Sequence, residues 1–146
     1  MSSEEVIAGY LRIAKQDLEG AVALDQVGNR NSIYLCSQAA EKVIRAVLTS
    51  ESIHAGISHQ LDLMIDQVPD ENPIKPLLRE VQSLSVFATA FRYPTSTRGR
   101  IRSHPVGEEF ASYVSKVERA LNEALARFDV DLEDEGKAAG NADPIR

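Results

Sequence analysis

Apolar residues recur every three or four positions along most of this chain, and that spacing constrains the fold more than any other feature. Ile7, Leu11, Ala14, Leu18, Ala21 and Val22 share one helical face, and so do Ile33, Cys36, Ala40, Val43, Ile44 and Val47. A shorter run places Leu61, Met64, Ile65 and Val68 inward. Ile74, Leu77, Leu78, Val81, Leu84, Ala88 and Phe91 repeat the pattern, as do Phe110, Tyr113, Val114, Val117, Leu121, Ala124, Leu125 and Phe128. A strand would alternate at period two, and no segment does so. The expectation is an all-α antiparallel bundle of four to five helices with short connections.

Punctuation between the runs agrees with five helices. Ser2 or Ser3 is placed to cap the first, with Glu4 and Glu5 in its first turn. Gly28 and Asn29 tolerate the left-handed conformation that ends a helix, so the first should stop there. Asn31 or Ser32 is expected to cap the second helix, and Ser58 the third. Pro73 and Pro76 suit a helix start, where a missing N–H is harmless. The fourth helix, running to Phe91, must end before Pro94. Pro105 sits in the first turn of the fifth.

A chain of 146 residues with 43% apolar residues can bury one core without staples. Residues 1–128 are read as that bundle. Residues 129–146, "DVDLEDEGKAAGNADPIR", lack aromatics and are acidic, then small and polar, so a disordered tail is expected. Cys36 is the only cysteine, which excludes an internal disulfide and suits a reducing, cytoplasmic location. No apolar run is long enough to span a bilayer, and the N-terminus lacks the basic-then-apolar order of a signal peptide. The net charge of −6 argues against broad coating of nucleic acid, so any anion site must be local.

One local candidate stands out. "FRYPTSTRGRIRSHP", from Phe91 to Pro105, gathers Arg92, Arg98, Arg100, Arg102 and His104 without an acidic residue among them. The four arginines are able to surround phosphate groups, with Tyr93 to stack on a base and the following helix N-terminus adding a favourable dipole. The plainer expectation is a solvated loop whose arginines pair with Glu108, Glu109 or the acidic tail. Elsewhere, His59 is expected to satisfy a local hydrogen bond, His54 to lie at the surface and Cys36 to be a small core residue. The three histidines and one cysteine lack ligand spacing for zinc, and neither a metal nor a cofactor is expected. Glu41 and Arg45 form an i,i+4 pair, which with Lys42 gives the second helix its polar face.

Three stretches, in order, resemble the HEPN domain family. "AKQDLEGAVALDQVGNRNSIYLCSQAAEKVIRAVLTS" resembles its opening hairpin, "ISHQLDLMIDQV" its short His-x-Leu segment, and "ATAFRYP" the Arg-Tyr-Pro ending of its long helix. The region of resemblance spans roughly residues 5–128. The resemblance implies a four- or five-helix bundle that commonly forms a homodimer. Some members are RNA-cutting toxins paired with a nucleotidyltransferase-like antitoxin; others are non-catalytic modules that bind a nucleotide, RNA or a protein. The nuclease members carry an Arg, four to six residues, then a His at the start of the last helix. Arg98 and His104, with five residues between them, fall in that window. In such a site the imidazole would move a proton at a ribose 2′-hydroxyl, and the arginine would stabilise the phosphate. Gly99 stands where those members favour a polar residue, and Pro105 follows His104 directly, so the leading expectation is a non-catalytic module. A metal-independent endoribonuclease is the alternative. The dimer is expected to use the apolar faces bearing Phe87, Phe91, Phe110 and Phe128.

Overall fold

The computed structural model describes residues 1–146. Three long helices form the frame: α1 (Ser3–Gln26), α2 (Asn31–Ser50) and α6 (Gly107–Arg127). Between α2 and α6 lie the short helices α3 (Leu61–Asp66), α4 (Lys75–Arg79) and α5 (Ser85–Ala88), with 3₁₀ turns at Gln82–Leu84 and Ala90–Arg92. There is no strand. The architecture is the all-α bundle that the apolar spacing predicts. α1 and α2 form a tight hairpin, and α6 packs across both. No helix is long and apolar enough to cross a membrane.

The long helices share one way of ending. After α1, Gly28 N–H donates to the Asp25 carbonyl and Asn29 N–H to that of Leu24, the paired bonds of a Schellman motif. Ser52 with Ile53 closes α2 on Thr49 and Leu48 in the same way, and Asp129 with Val130 closes α6 on Ala126 and Leu125. The left-handed residue is Gly28 at φ 71°, Ser52 at 60° and Asp129 at 51°. Only the first of these is glycine, so only the first stop is visible in the sequence. At the starts, Ser2 Oγ accepts from Glu5 N–H, as expected. The start of α2 differs. Arg30 is its N-cap residue, and Asn29 Oδ1 rather than Asn31 or Ser32 takes the capping bond, from Asn31 N–H.

The fourth helix is broken where the sequence predicts one continuous element. Ile74, Leu78, Val81, Leu84, Ala88 and Phe91 are all buried, yet their backbone passes through two short helices and two 3₁₀ turns. The steps Val81 to Leu84 and Ala88 to Phe91 are three residues, a spacing that 3₁₀ geometry satisfies as well as an α-helix. Hydroxyls reinforce the breaks. Thr89 Oγ1 donates back to the Ser85 and Val86 carbonyls, and Ser85 Oγ accepts from Leu61 N–H at the start of α3. Ser58, expected to cap α3, instead accepts from Gln60 N–H just ahead of it.

Residues 129–146 are not a loose tail. Ala139 and Ile145 are buried in the common core, and Ala139 N–H donates to the Glu4 carbonyl. Arg12 on α1 organises the segment. Its guanidinium donates to the carbonyls of Asp131, Glu135 and Lys137 at 2.6–3.3 Å. One half-buried cationic fork thus replaces the apolar area that the composition lacks. Asn141 N–H and Gly140 N–H donate to Phe128 and Asp129, turning the chain back over the end of α6. A Cβ at Gly140 would collide with the Asp129 carboxylate as it stands, so a larger residue there requires that side chain to move. Arg146 then pairs with Glu51, where α2 ends.

Two outcomes follow from this anchoring. Arg12→Ala is expected to lower stability by about 1–3 kcal/mol and to expose residues 131–146 to limited proteolysis while α6 stays protected. Hydrogen bonds from Arg146 and Asn72 hold the Glu51 carboxyl below the usual range despite its burial. A depressed acid stabilises the fold above its unfolded pKa, about 4.3, and that contribution disappears as pH falls through the folded value. The Tm difference between wild type and Glu51→Gln should therefore be full near neutrality and shrink as pH falls below the unfolded value of about 4.3.

Candidate functional site

The Arg-Tyr-Pro segment lies against the start of α2. Arg30 stacks 4.0 Å from the centroid of the Phe91 ring and donates through Nη2 to the Phe91 carbonyl at 2.8 Å. Arg92 lies 5.1 Å from the Tyr34 ring centroid and 6.0 Å from that of Tyr93. Phe91 is buried, and Phe87 meets it edge-on at 5.3 Å and Tyr113 at 6.2 Å. With Phe91, Phe110 and Phe128 all buried inside one chain, the broad aromatic faces expected at a dimer contact are already covered.

Beyond Tyr93 the chain leaves the bundle. Thr97 to Arg100 form a tight turn with Arg98 at φ 56° and Gly99 at φ 62°, closed by Arg100 N–H donating to the Thr97 carbonyl at 3.3 Å. Two successive left-handed residues define a type I′ turn, which explains Gly99 by backbone need. Thr95 N–H donates to the Arg100 carbonyl at 2.7 Å, giving the turn a base. Arg98 stands at its exposed tip, and Arg100, Ile101 and Arg102 follow, also exposed. His104 is half-buried and Pro105 buried, both ahead of α6, so His104 neither caps nor projects from that helix.

None of the four arginines pairs with a carboxylate. The ion pairs of the molecule lie elsewhere, and Glu108, Glu109 and the C-terminal acids are not partners of the loop. Masking by the C-terminal segment fails on geometry. That segment binds Arg12, near the middle of α1, and Glu4 and Glu51, at the opposite end of the hairpin from Arg30, about 30 Å along a helix of α2's length. The loop is solvated, as expected, but it is not neutralised.

A second polar cluster is structural in a way its spacing does not reveal. Glu41 is buried on α2 rather than on a surface face. Its carboxylate accepts from Arg45 Nε at 3.2 Å and meets His59 Nδ1 at 2.9 Å. Arg45 also donates to the carbonyls of Gly56 and Ser58, both at 2.9 Å, pinning the loop that carries the exposed His54. Alongside, Lys42 approaches Asp17 of α1 at 3.7 Å; burial raises the Asp17 carboxyl above its ordinary value, and Lys42 opposes that rise. Cys36 is buried, and burial pushes its thiol up to about 12, far from a nucleophilic thiolate. No three His, Cys, Asp or Glu side chains converge as a metal site would need. A groove of about 670 Å³ between α3 and α5 holds none of the residues singled out in the sequence. Two of its charged groups pair with each other, Arg79 with Asp66 at 2.6 Å, and Asp62 accepts from the Ser85 hydroxyl.

These two clusters should respond differently to substitution. Glu41→Ala removes a buried carboxylate from beneath Arg45 and is expected to cost about 3 kcal/mol in urea unfolding. Arg98→Ala, at a solvated turn tip, should change stability by no more than about 0.5 kcal/mol.

Comparison with known proteins agrees with this arrangement of helices. Residues 7–127 match the sequence model of the HEPN domain. No curated protein and no solved structure matches the chain. The matched span runs from the first buried turn of α1 to the last turn of α6 and takes in the hairpin, the Arg-Tyr-Pro segment and the arginine loop between them. The chain belongs to the HEPN domain family.

Proposed function

We propose that this HEPN protein is a non-catalytic module that binds the phosphates of single-stranded RNA through Arg92, Arg98, Arg100 and Arg102. One observation carries the reading: four arginines share an exposed segment of an acidic protein, and none has a carboxylate partner. Uncompensated guanidinium groups attract phosphate through counterion release and bidentate hydrogen bonds. Tyr93 is exposed beside Arg92, where a base can stack on it. The position of His104, outside α6 and half-buried against Pro105, supports binding over cleavage. A homodimer is the acting species in this reading, and a nucleotidyltransferase-like chain is its protein partner, both by family likeness.

Affinity for single-stranded RNA measured across salt concentrations tests the reading. Four phosphate contacts predict a slope of log K against log salt near about −3, and Arg98→Ala should lower its magnitude by about 0.7. A slope near zero would remove the proposal. The alternative, a metal-independent endoribonuclease, predicts RNA cleavage in EDTA that disappears in His104→Ala. Binding without cleavage by either protein is the expected result.

A further inference from the structure

The arginine segment forms most of the lining of a pocket that the sequence does not suggest. Arg30, Arg92, Tyr93, Pro94 and Ile101 line a cavity of about 160 Å³ at the start of α2. Two cationic side chains, remote in sequence, converge there without a counter-charge, since neither Arg30 nor Arg92 belongs to any ion pair. Both are held in place by aromatic rings, Arg30 on Phe91 and Arg92 on Tyr34. A guanidinium stacked by its face keeps its N–H edge free for an oxyanion.

The polar accounting of Arg30 is incomplete within the chain. Its Nη2 donates to the Phe91 carbonyl, but its Nε is shielded from solvent and has no acceptor. A charged donor without a partner is costly, and it leaves Arg30 short of acceptors within the chain. The first turn of α2 carries no acidic residue, and its one capping side chain is the neutral Asn29 amide, so no negative charge in the chain offsets the positive end of the helix beside Arg30. Size then narrows the ligand. Sites for whole small molecules begin near about 300 Å³, and this cavity is about half that, room for a head group and not for a nucleotide. Pro94 and Ile101, both exposed, supply the apolar part of its rim.

We infer that this pocket is a subsite for a terminal phosphate monoester, in which Arg30 and Arg92 together bind the dianion. Two arginines offer more donors than one carboxylate takes up, whereas a terminal phosphate presents three oxygens to share between them. An internal phosphodiester carries one charge and two free oxygens, and so makes less use of two guanidinium groups than a terminal dianion does. The inference rests on the reading that the arginine segment binds phosphate, and it adds Arg30 and a preference for a phosphorylated end. A free nucleoside monophosphate and the 5′ end of an RNA carry the same group.

The test compares one single-stranded RNA, labelled at its 3′ end, with a 5′-phosphate or a 5′-hydroxyl, by fluorescence anisotropy, with adenosine monophosphate titrated separately by calorimetry. The 5′-phosphorylated RNA is expected to bind at least about tenfold more tightly, the worth of one charge-assisted hydrogen bond. Arg92→Gln, at an exposed side chain that should leave folding intact, is expected to abolish that ratio. Arg98→Gln, outside the pocket, should weaken both RNAs and leave the ratio unchanged. Equal binding of the two RNAs by wild type overturns the subsite while leaving RNA binding in place. Absence of RNA binding, with monophosphate binding that is lost in Arg92→Gln, supports the subsite and removes the RNA reading. If neither RNA nor monophosphate binds, both fall.

Discussion

Burial of α2 on nearly all sides is the constraint on which the other parts depend. From Ser32 to Ser50 every residue of this helix is buried or half-buried, including Ser37, Glu41 and Ser50. Small residues along it, Ala39, Ala40 and Ala46, let neighbouring backbones approach closely, and α1 and α6 take up much of the surface so offered. A helix this enclosed cannot leave a polar side chain to water. Ser37 and Ser50 therefore donate back to carbonyls one turn earlier, and Glu41 draws Arg45 and His59 to itself.

The two ends of α2 are finished by different chemistry. At its C-terminal end Glu51 pairs with Arg146 and accepts from Asn72, so the end of the chain and the α3–α4 connection meet there. At its N-terminal end the partners are cations and aromatic rings, Arg30 on Phe91 and Arg92 on Tyr34, with no carboxylate. Opposite charges close one end into the fold, and unpaired positive charge leaves the other available to an anion. The separation of the two ends also keeps the acidic C-terminal segment away from the arginine loop.

Much of this is readable from residue order. Apolar spacing identifies the three long helices and nearly all of the core, and Gly28 marks the first stop. The same spacing overstates continuity between Ile74 and Phe91, because a step of three does not distinguish an α-helix from a 3₁₀ turn. The C-terminal segment reads as loose because composition counts apolar area, whereas Arg12 holds it through backbone carbonyls that carry no residue identity. Within the candidate site, Arg92 and Tyr93 are visible as part of a charge run. Arg30 is not, since beside Gly28 and Asn29 it reads as a helix boundary and lies 61 residues from the carbonyl it binds.

By itself, then, the sequence determines the bundle class, the helical faces, the family likeness and the unusual density of arginine before α6. These are local properties, set by side-chain period and by charges adjacent in the chain. Tertiary structure alone decides that Glu41 is buried, that residues 129–146 pack on α1, and that Arg30 meets Arg92 at one pocket. Each depends on groups brought together across long stretches of chain, and the energy of a charge is governed by what surrounds it, which residue order does not record.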